Sequence, residues 1–159
     1  MNELVFDAAS EEDTDRFGGA VAAAVAPGTT IALCGTLGAG KTRLTQAIAA
    51  AYGVPREEVV SPTFVLCQQY RGTRTIQHLD AYRLHDEDEL RELGIEELIE
   101  SAGLTVIEWA DRVPDALPDD HLRIDIEVLG PTARRFRARW VGSDRDSPLK
   151  TLERALQER

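Results

Sequence analysis

Apolar and polar residues follow different periods along the chain, and each change of period marks an element. "LVFDA", from Leu4, suits a short first strand. Ser10 then opens "SEEDTDRFGGAVAAAVAPG", where a hydroxyl cap followed by acids predicts a helix amino terminus, and Pro27 and Gly28 close it. In "TTIALCG" the apolar residues run on without alternating, the pattern of a strand covered on both faces. From Thr42, "TRLTQAIAAAYG" is alanine-rich and helical, with Gly53 placed to stop it.

Beyond "VVSPTF", the runs "FVLCQQY" and "TIQHLDAY" flank residues 71–74 and predict a hairpin around Gly72. The acidic stretch "HDEDELRELGIEELIESAG" predicts one or two helices, with Leu90, Leu93, Ile95, Leu98 and Ile99 as their apolar contacts. "LTVIEW" is a second short run suited to a buried strand. The last third alternates instead: Leu122, Ile124, Ile126 and Val128 in "HLRIDIEV", and Phe136, Ala138 and Trp140 in "RRFRARWV". If Ile126 faces Phe136 across the "LGPTA" turn, Glu127 faces Arg135 and Asp125 faces Arg137, so the arginine strip reads as an ion-paired outer face. Residues 147–159 read as a short surface helix or a frayed tail.

Strand and helix signals at these intervals predict an α/β fold, and 159 residues make one domain with its own core, spanning residues 1–159. The chain carries 28 acidic and 18 basic side chains, a net charge of −10 that repels phosphate backbones. Direct, unaided nucleic-acid binding is not expected. No stretch approaches the ~20 apolar residues of a membrane helix, and the amino terminus lacks the basic start and apolar centre of a signal peptide, so a cytoplasmic protein without membrane attachment is expected. Cys34 and Cys67 lie far apart and read as buried, inert thiols rather than a disulfide or zinc pair.

Chemistry concentrates in "GTLGAGKT": Gly35, Thr36, Leu37, Gly38, Ala39, Gly40, Lys41 and Thr42. The stretch matches Gly-x-x-x-x-Gly-Lys-Thr at every defined position, and a chance match in a chain this size has a probability on the order of 1%. It also follows a predicted strand and opens a predicted helix, the context that a phosphate-binding P-loop requires. Glycines let the backbone aim its amides at phosphates, and the helix adds its positive end. Lys41 would bridge the β and γ phosphates, and Thr42 would place its hydroxyl on Mg²⁺.

Two acids end apolar runs, Glu108 in "TVIE" and Asp80 in "IQHLD". Each reads as a metal or water helper or as an exposed strand-end acid, and the P-loop favours the first. Ser61 and Thr63 in "SPTF" form either a γ-phosphate-sensing switch or a plain loop rich in hydroxyls. His78 reads as a structural histidine, because two alternate positions on one strand do not make a metal site; His85 and His121 carry no pattern. No Asn-Lys-x-Asp motif supports guanine, so ATP is the expected nucleotide.

"LCGTLGAGKT", "SPTF", "HLDAYRL", "ELGIEE" and "VIEWADR", in this order and spacing, resemble the TsaE family (YjeE-type P-loop ATPases) over nearly the whole chain. The resemblance implies a P-loop NTPase fold, with a mainly parallel central sheet flanked by helices and extended by antiparallel strands that include the carboxyl-terminal hairpin. It implies ATP and Mg²⁺ as cofactors and a role in forming the N6-threonylcarbamoyl group on adenosine 37 of tRNA. There the TsaB and TsaD subunits form the transferase, and the TsaE-like protein is the ATPase that binds this pair and keeps it cycling.

Position by position, residues 35–42 match the family's phosphate loop, Thr42 and Glu108 its Mg²⁺ positions, Asp80 a position tied to hydrolysis, and Thr63 its switch-like segment. Lys41, Asp80, Glu108 and Thr63 are thus the expected catalytic group, and Trp109 follows the metal acid. Thr14 and Arg134 fall where the family approaches the adenine end of the nucleotide. One departure is visible: many relatives carry an acid where this chain has Thr36, which bears on hydrolysis rate or partner control rather than on ATP binding. Tyr82, Arg83 and Trp109 stay open between catalysis, partner contact and packing. A small-molecule kinase and a non-catalytic, nucleotide-dependent binding module are the competing functions, separable by product analysis and by whether turnover occurs with partners.

Overall fold

The computed structural model describes residues 1–60, 67–82, 84, 87–92, 94–101 and 103–158. Ser61, Thr63, Arg83, His85, Leu93 and residues 64–66 of the expected "FVLCQQY" strand lie outside them. The described strands are β1 (Leu4–Ala8), β2 (Thr29–Gly35), β3 (Cys67–Arg71), β4 (Thr75–Asp80), β5 (Leu104–Glu108), β6 (His121–Val128) and β7 (Arg134–Val141). The helices are α1 (Glu11–Ala24), α2 (Lys41–Ala51), α3 (Glu87–Glu92), α4 (Ile95–Ser101) and α5 (Leu149–Gln157). Among the described residues the strands form one sheet in the order β1-β7-β6-β2-β5-β4-β3. Its centre, β6-β2-β5-β4, is parallel, and its margins are antiparallel, β3 on β4 at one side and β7 between β6 and β1 at the other.

Burial on both faces explains the unbroken apolar run of β2. Ile31 and Leu33 enter a core with Phe17, Leu44, Ile48 and Phe136, whereas Ala32 and Cys34 enter a second one with Leu79, Ile95, Ile107 and Val113. In the first core three aromatic rings stack in series, Phe6 on Phe17 at 5.4 Å and Phe17 on Phe136 at 4.5 Å between centroids. That stack joins β1, α1 and β7, so it fixes α1 over the antiparallel side of the sheet. Ser10 caps α1 by accepting the Asp13 amide at 3.2 Å, and Asp13 accepts the Ala9 amide in return at 2.9 Å. The helix ends at Ala24, earlier than Pro27.

The register of the last hairpin is the expected one, with Ile126 opposite Phe136, Glu127 opposite Arg135 and Asp125 opposite Arg137. The ion pairs are different. Arg135 pairs with Asp7 at 2.7 Å and Arg137 with Glu3 at 3.7 Å, because β1 lies against the other edge of β7. Asp125 is taken by Arg123 at 3.0 Å on its own strand and by Arg139 at 3.5 Å. Val128 ends the alternation exposed. The tail is no frayed end either: Leu149 and Leu152 are buried and α5 docks on α1, where the Arg16 guanidinium donates to the Leu156 carbonyl. No helix among the described residues is long and apolar enough to cross a membrane.

Helix α1 also holds α2, the helix that follows the glycine-rich loop, at close range. A Cβ on Gly18 would stand 2.4 Å from the Ala47 Cβ and 3.0 Å from the Ala47 carbonyl carbon, whereas one on Gly19 would meet nothing within 4 Å. Both glycines are mid-helix, where alanine gains about 0.5–1 kcal/mol over glycine. Gly19→Ala should therefore stabilise the fold by about that amount. Gly18→Ala should destabilise it by a net 1–2 kcal/mol, approximately, since overpacking costs more than the helix gains. Urea unfolding of the two variants checks the pair, and equal shifts would contradict the close approach of α1 and α2.

Candidate functional site

The register of the parallel strands decides which residues meet at their carboxyl ends. Glu108 of β5 lies opposite Leu33 of β2 on one side and Asp80 of β4 on the other. β2 ends at Gly35, so residues 36–40 leave the sheet beside both acids before α2 starts at Lys41. In open α/β sheets this is the end at which ligands bind.

The loop turns through two left-handed residues, Gly38 at φ 79° and Gly40 at φ 108°, where a side chain would cost roughly 1–2 kcal/mol each. Gly40 caps α2 without a side chain of its own, and the first amides of a helix have no partner within the helix. Lys41 is only 5% exposed, and its Nζ donates to the carbonyls of Gly35 at 2.8 Å and Thr36 at 2.9 Å. The same ammonium sits 3.8 Å from the Trp109 ring centroid. Burial lowers the pKa of Lys41, while Glu108, Asp111 and Asp80 pull it upward.

Beneath the loop, the Thr42 hydroxyl lies 3.1 and 3.0 Å from the two carboxylate oxygens of Glu108. Glu108 is 3% exposed and Asp80 7%, so neither is the exposed strand-end acid that each sequence run allowed. Asp80 accepts the Tyr82 amide at 2.8 Å. His78, fully buried, contacts Glu108 through Nε2 and faces the Tyr70 hydroxyl through Nδ1 at 3.0 Å.

Trp109 occupies left-handed backbone at φ 58° and ψ 37°, where the chain turns out of β5. A bulky residue held there marks an over-determined site. Its ring lies 4.9 Å from that of Tyr82, and the Arg112 guanidinium covers both rings at 5.9 and 4.9 Å.

A concavity of about 220 Å³ lies between the loop, Thr42, Glu108 and Trp109. A second of about 220 Å³ on the loop's other side is bounded by Thr14, Arg43, Thr132 and Arg134. The structure thus gathers Thr14, residues 35–42, Asp80, Glu108 and Arg134 at one end of the sheet, whereas Thr63 lies outside the described residues. Arg134 is committed to backbone: Nε donates to the Ala39 carbonyl at 2.7 Å, and NH1 to the Gly130 and Ala133 carbonyls at 2.8 and 2.9 Å. It braces the glycine-rich loop.

Sequence reasoning missed Arg43, which bonds Asp15 at 2.7 Å and ties α1 to α2. The acids at the start of α1 were visible, but their partner emerges only when the two helices are seen to pack.

The sequence profile of the family described as "Threonylcarbamoyl adenosine biosynthesis protein TsaE" matches residues 8–136. The chain belongs to the TsaE family. A relative from Treponema pallidum named "tRNA threonylcarbamoyladenosine biosynthesis protein TsaE" is 38% identical over 127 residues, covering 80% of this chain and 93% of that protein. A Bacillus subtilis relative of the same name is 34% identical over 155 residues, 97% of this chain and 96% of its own. The crystal structure of Bacillus subtilis YdiB superposes with a TM-score of 0.78 at 28% identity, covering 96% of this chain and 95% of that one. The architecture is accordingly the P-loop fold, shared along almost the full length with this TsaE-family structure.

Cys34 stands one residue before the loop, and burial pushes its thiol up to about 11, with Cys67 raised for the same reason. At pH 8 the Cys34 thiolate is scarce in the folded chain. In a Cys67→Ser background, Ellman's reagent should label Cys34 more than about tenfold more slowly in the native protein than in guanidinium. Equal rates would contradict its burial beside the loop.

Proposed function

We propose that this chain is an ATPase subunit of tRNA threonylcarbamoyladenosine formation, which binds and hydrolyses ATP with Mg²⁺ and acts on the TsaB–TsaD transferase without itself binding tRNA. The observation that carries the nucleotide reading is the Thr42 hydroxyl on the buried Glu108 carboxylate, directly under a loop that holds Lys41. The names of the relatives support the pathway, and the net charge of −10 suits a partner with a basic, tRNA-binding surface. The cytoplasm, where tRNA is modified, is the proposed location.

The donor set fits the cofactors. Hydroxyl and carboxylate oxygens are the ligands Mg²⁺ takes, and the ion keeps waters and phosphate oxygens as its others. Accordingly, it needs no cage of protein ligands, and among the described residues no three His, Cys, Asp or Glu side chains gather into one. Thr42 and Glu108 would hold the ion, which when bound neutralises charge developing on the transferred phosphoryl group.

Residues 35–42 would wrap the β and γ phosphates, with Lys41 shifting its ammonium from the Gly35 and Thr36 carbonyls to phosphate oxygens. Asp80, fixed by the Tyr82 amide, would orient the attacking water. Thr14 and Arg134 bound the side of the loop where the adenosine end would lie. Thr63 would sense the γ-phosphate.

The test is Mg²⁺-dependent phosphate release from ATP, alone and with purified TsaB and TsaD. Slow release that rises with the pair supports the proposal. Phosphate transferred to an added acceptor, or complex formation needing ATP with no turnover, overturns it.

Two variants localise the chemistry. Lys41→Ala should weaken ATP binding by about 10- to 100-fold, the worth of hydrogen bonds to a charged group; unchanged affinity by calorimetry would contradict the cradle. Glu108→Ala should cut turnover about 100-fold while ATP affinity falls less than about tenfold, because metal-linked charge matters most in the transition state. Equal losses in both would make Glu108 structural.

A further inference from the structure

Two side chains hold Glu108, Thr42 and His78, and the proposed function uses only the first. Nε2 of His78 contacts Glu108 Oε2, the oxygen that also lies 3.0 Å from the Thr42 hydroxyl, and Nδ1 lies 3.0 Å from the Tyr70 hydroxyl. The same hydroxyl oxygen is 3.3 Å from the Val60 carbonyl oxygen. His78 is 0% exposed, Glu108 3% and Tyr70 4%, so no solvent competes for these contacts. The chain of groups runs Thr42, Glu108, His78, Tyr70 and crosses α2, β5, β4 and β3. An ionised carboxylate only accepts, so a histidine bonded to it must present a hydrogen.

Thr42 has one hydroxyl hydrogen to share between two carboxylate oxygens at nearly equal distance, so it does not by itself fix how they are presented. A second donor, on Oε2, holds that oxygen in place. Groups that orient a metal-binding carboxylate in this way set metal affinity without touching the metal.

We infer that His78 is a positioning residue for Glu108: its imidazole donates from Nε2 to Oε2, is backed by Tyr70, and presents the carboxylate to the Mg²⁺ of a bound nucleotide. The inference rests on the reading of Glu108 as the Mg²⁺ carboxylate. It assigns His78 a role beyond packing, and it makes the edge strand β3, through Tyr70, a support of the site.

The two amide side chains separate this role from a structural one. Glutamine at position 78 can place an N–H where Nε2 stands, whereas asparagine reaches only the Nδ1 position. Binding of β,γ-imido-ATP is followed by calorimetry across a Mg²⁺ series and in EDTA. His78→Asn should raise the Mg²⁺ concentration that gives half the affinity gain by about tenfold or more. It should leave the affinity in EDTA within about twofold. His78→Gln should stay within about threefold of the wild type, and Tyr70→Phe should fall between them.

A Mg²⁺ midpoint unmoved in His78→Asn, or shifted alike in the asparagine and glutamine variants, overturns the inference and leaves the Mg²⁺ reading standing. A wild type whose nucleotide affinity ignores Mg²⁺ overturns that reading itself. Should the asparagine variant not fold, two-bond ¹H–¹⁵N spectra of the labelled wild type decide: a hydrogen on Nε2 of His78 supports the inference, and its absence there overturns it.

Discussion

A carboxylate taken out of water has to be surrounded by donors, and the arrangement around Glu108 is what the rest of the site depends on. Its neighbours come from different parts of the chain: Thr42 from the start of α2 and His78 from β4. They converge because β2, β5 and β4 are parallel and in a register that sets Leu33, Glu108 and Asp80 side by side. A slip of one residue in β5 would turn Glu108 to the opposite face of the sheet. The apolar residues on both faces of these strands prevent that slip, so the core that stabilises the sheet also aims its acids.

Stability does not account for the cluster. Lys41, Asp80, His78 and Glu108 are all buried within one small region, and apolar residues of similar volume often serve a fold as well or better than a buried ionic group. Trp109 adds a second local cost by standing in left-handed backbone. Glycine at 38 and 40 lets the loop return close to the sheet, and Arg134 fixes it there through the Ala39 carbonyl. Several unfavourable local choices therefore fall at one end of one sheet, the pattern of a functional site supported by the remainder of the molecule.

How much of this could be read in the sequence follows from how local each signal is. The strand of residues 29–35 was legible because double burial leaves an unbroken apolar run, and the last hairpin because a period of two admits one register about its turn. Its ion pairs were not legible. They depend on β1 lying beside β7, a contact between the two ends of the chain that no short-range pattern encodes. The docking of α5 on α1 was hidden for the same reason. The loop itself is contiguous and announced by spacing alone, whereas the neighbours of Glu108 lie 66 and 30 positions away in Thr42 and His78. His78 reads as a structural histidine until that second distance is closed by the sheet. The ammonium of Lys41 over Trp109 is equally a product of tertiary structure.

In the proposed function, one end of the sheet forms a Mg²⁺–nucleotide site from the glycine-rich loop, Thr42 and Glu108. The decisive experiment is a crystal structure of the chain with Mg²⁺ and β,γ-imido-ATP. Phosphates enclosed by residues 35–42, the ion on the Thr42 hydroxyl and the Glu108 carboxylate turned toward it are the expected result. Phosphates bound elsewhere, or an ion remote from both Thr42 and Glu108, would contradict it.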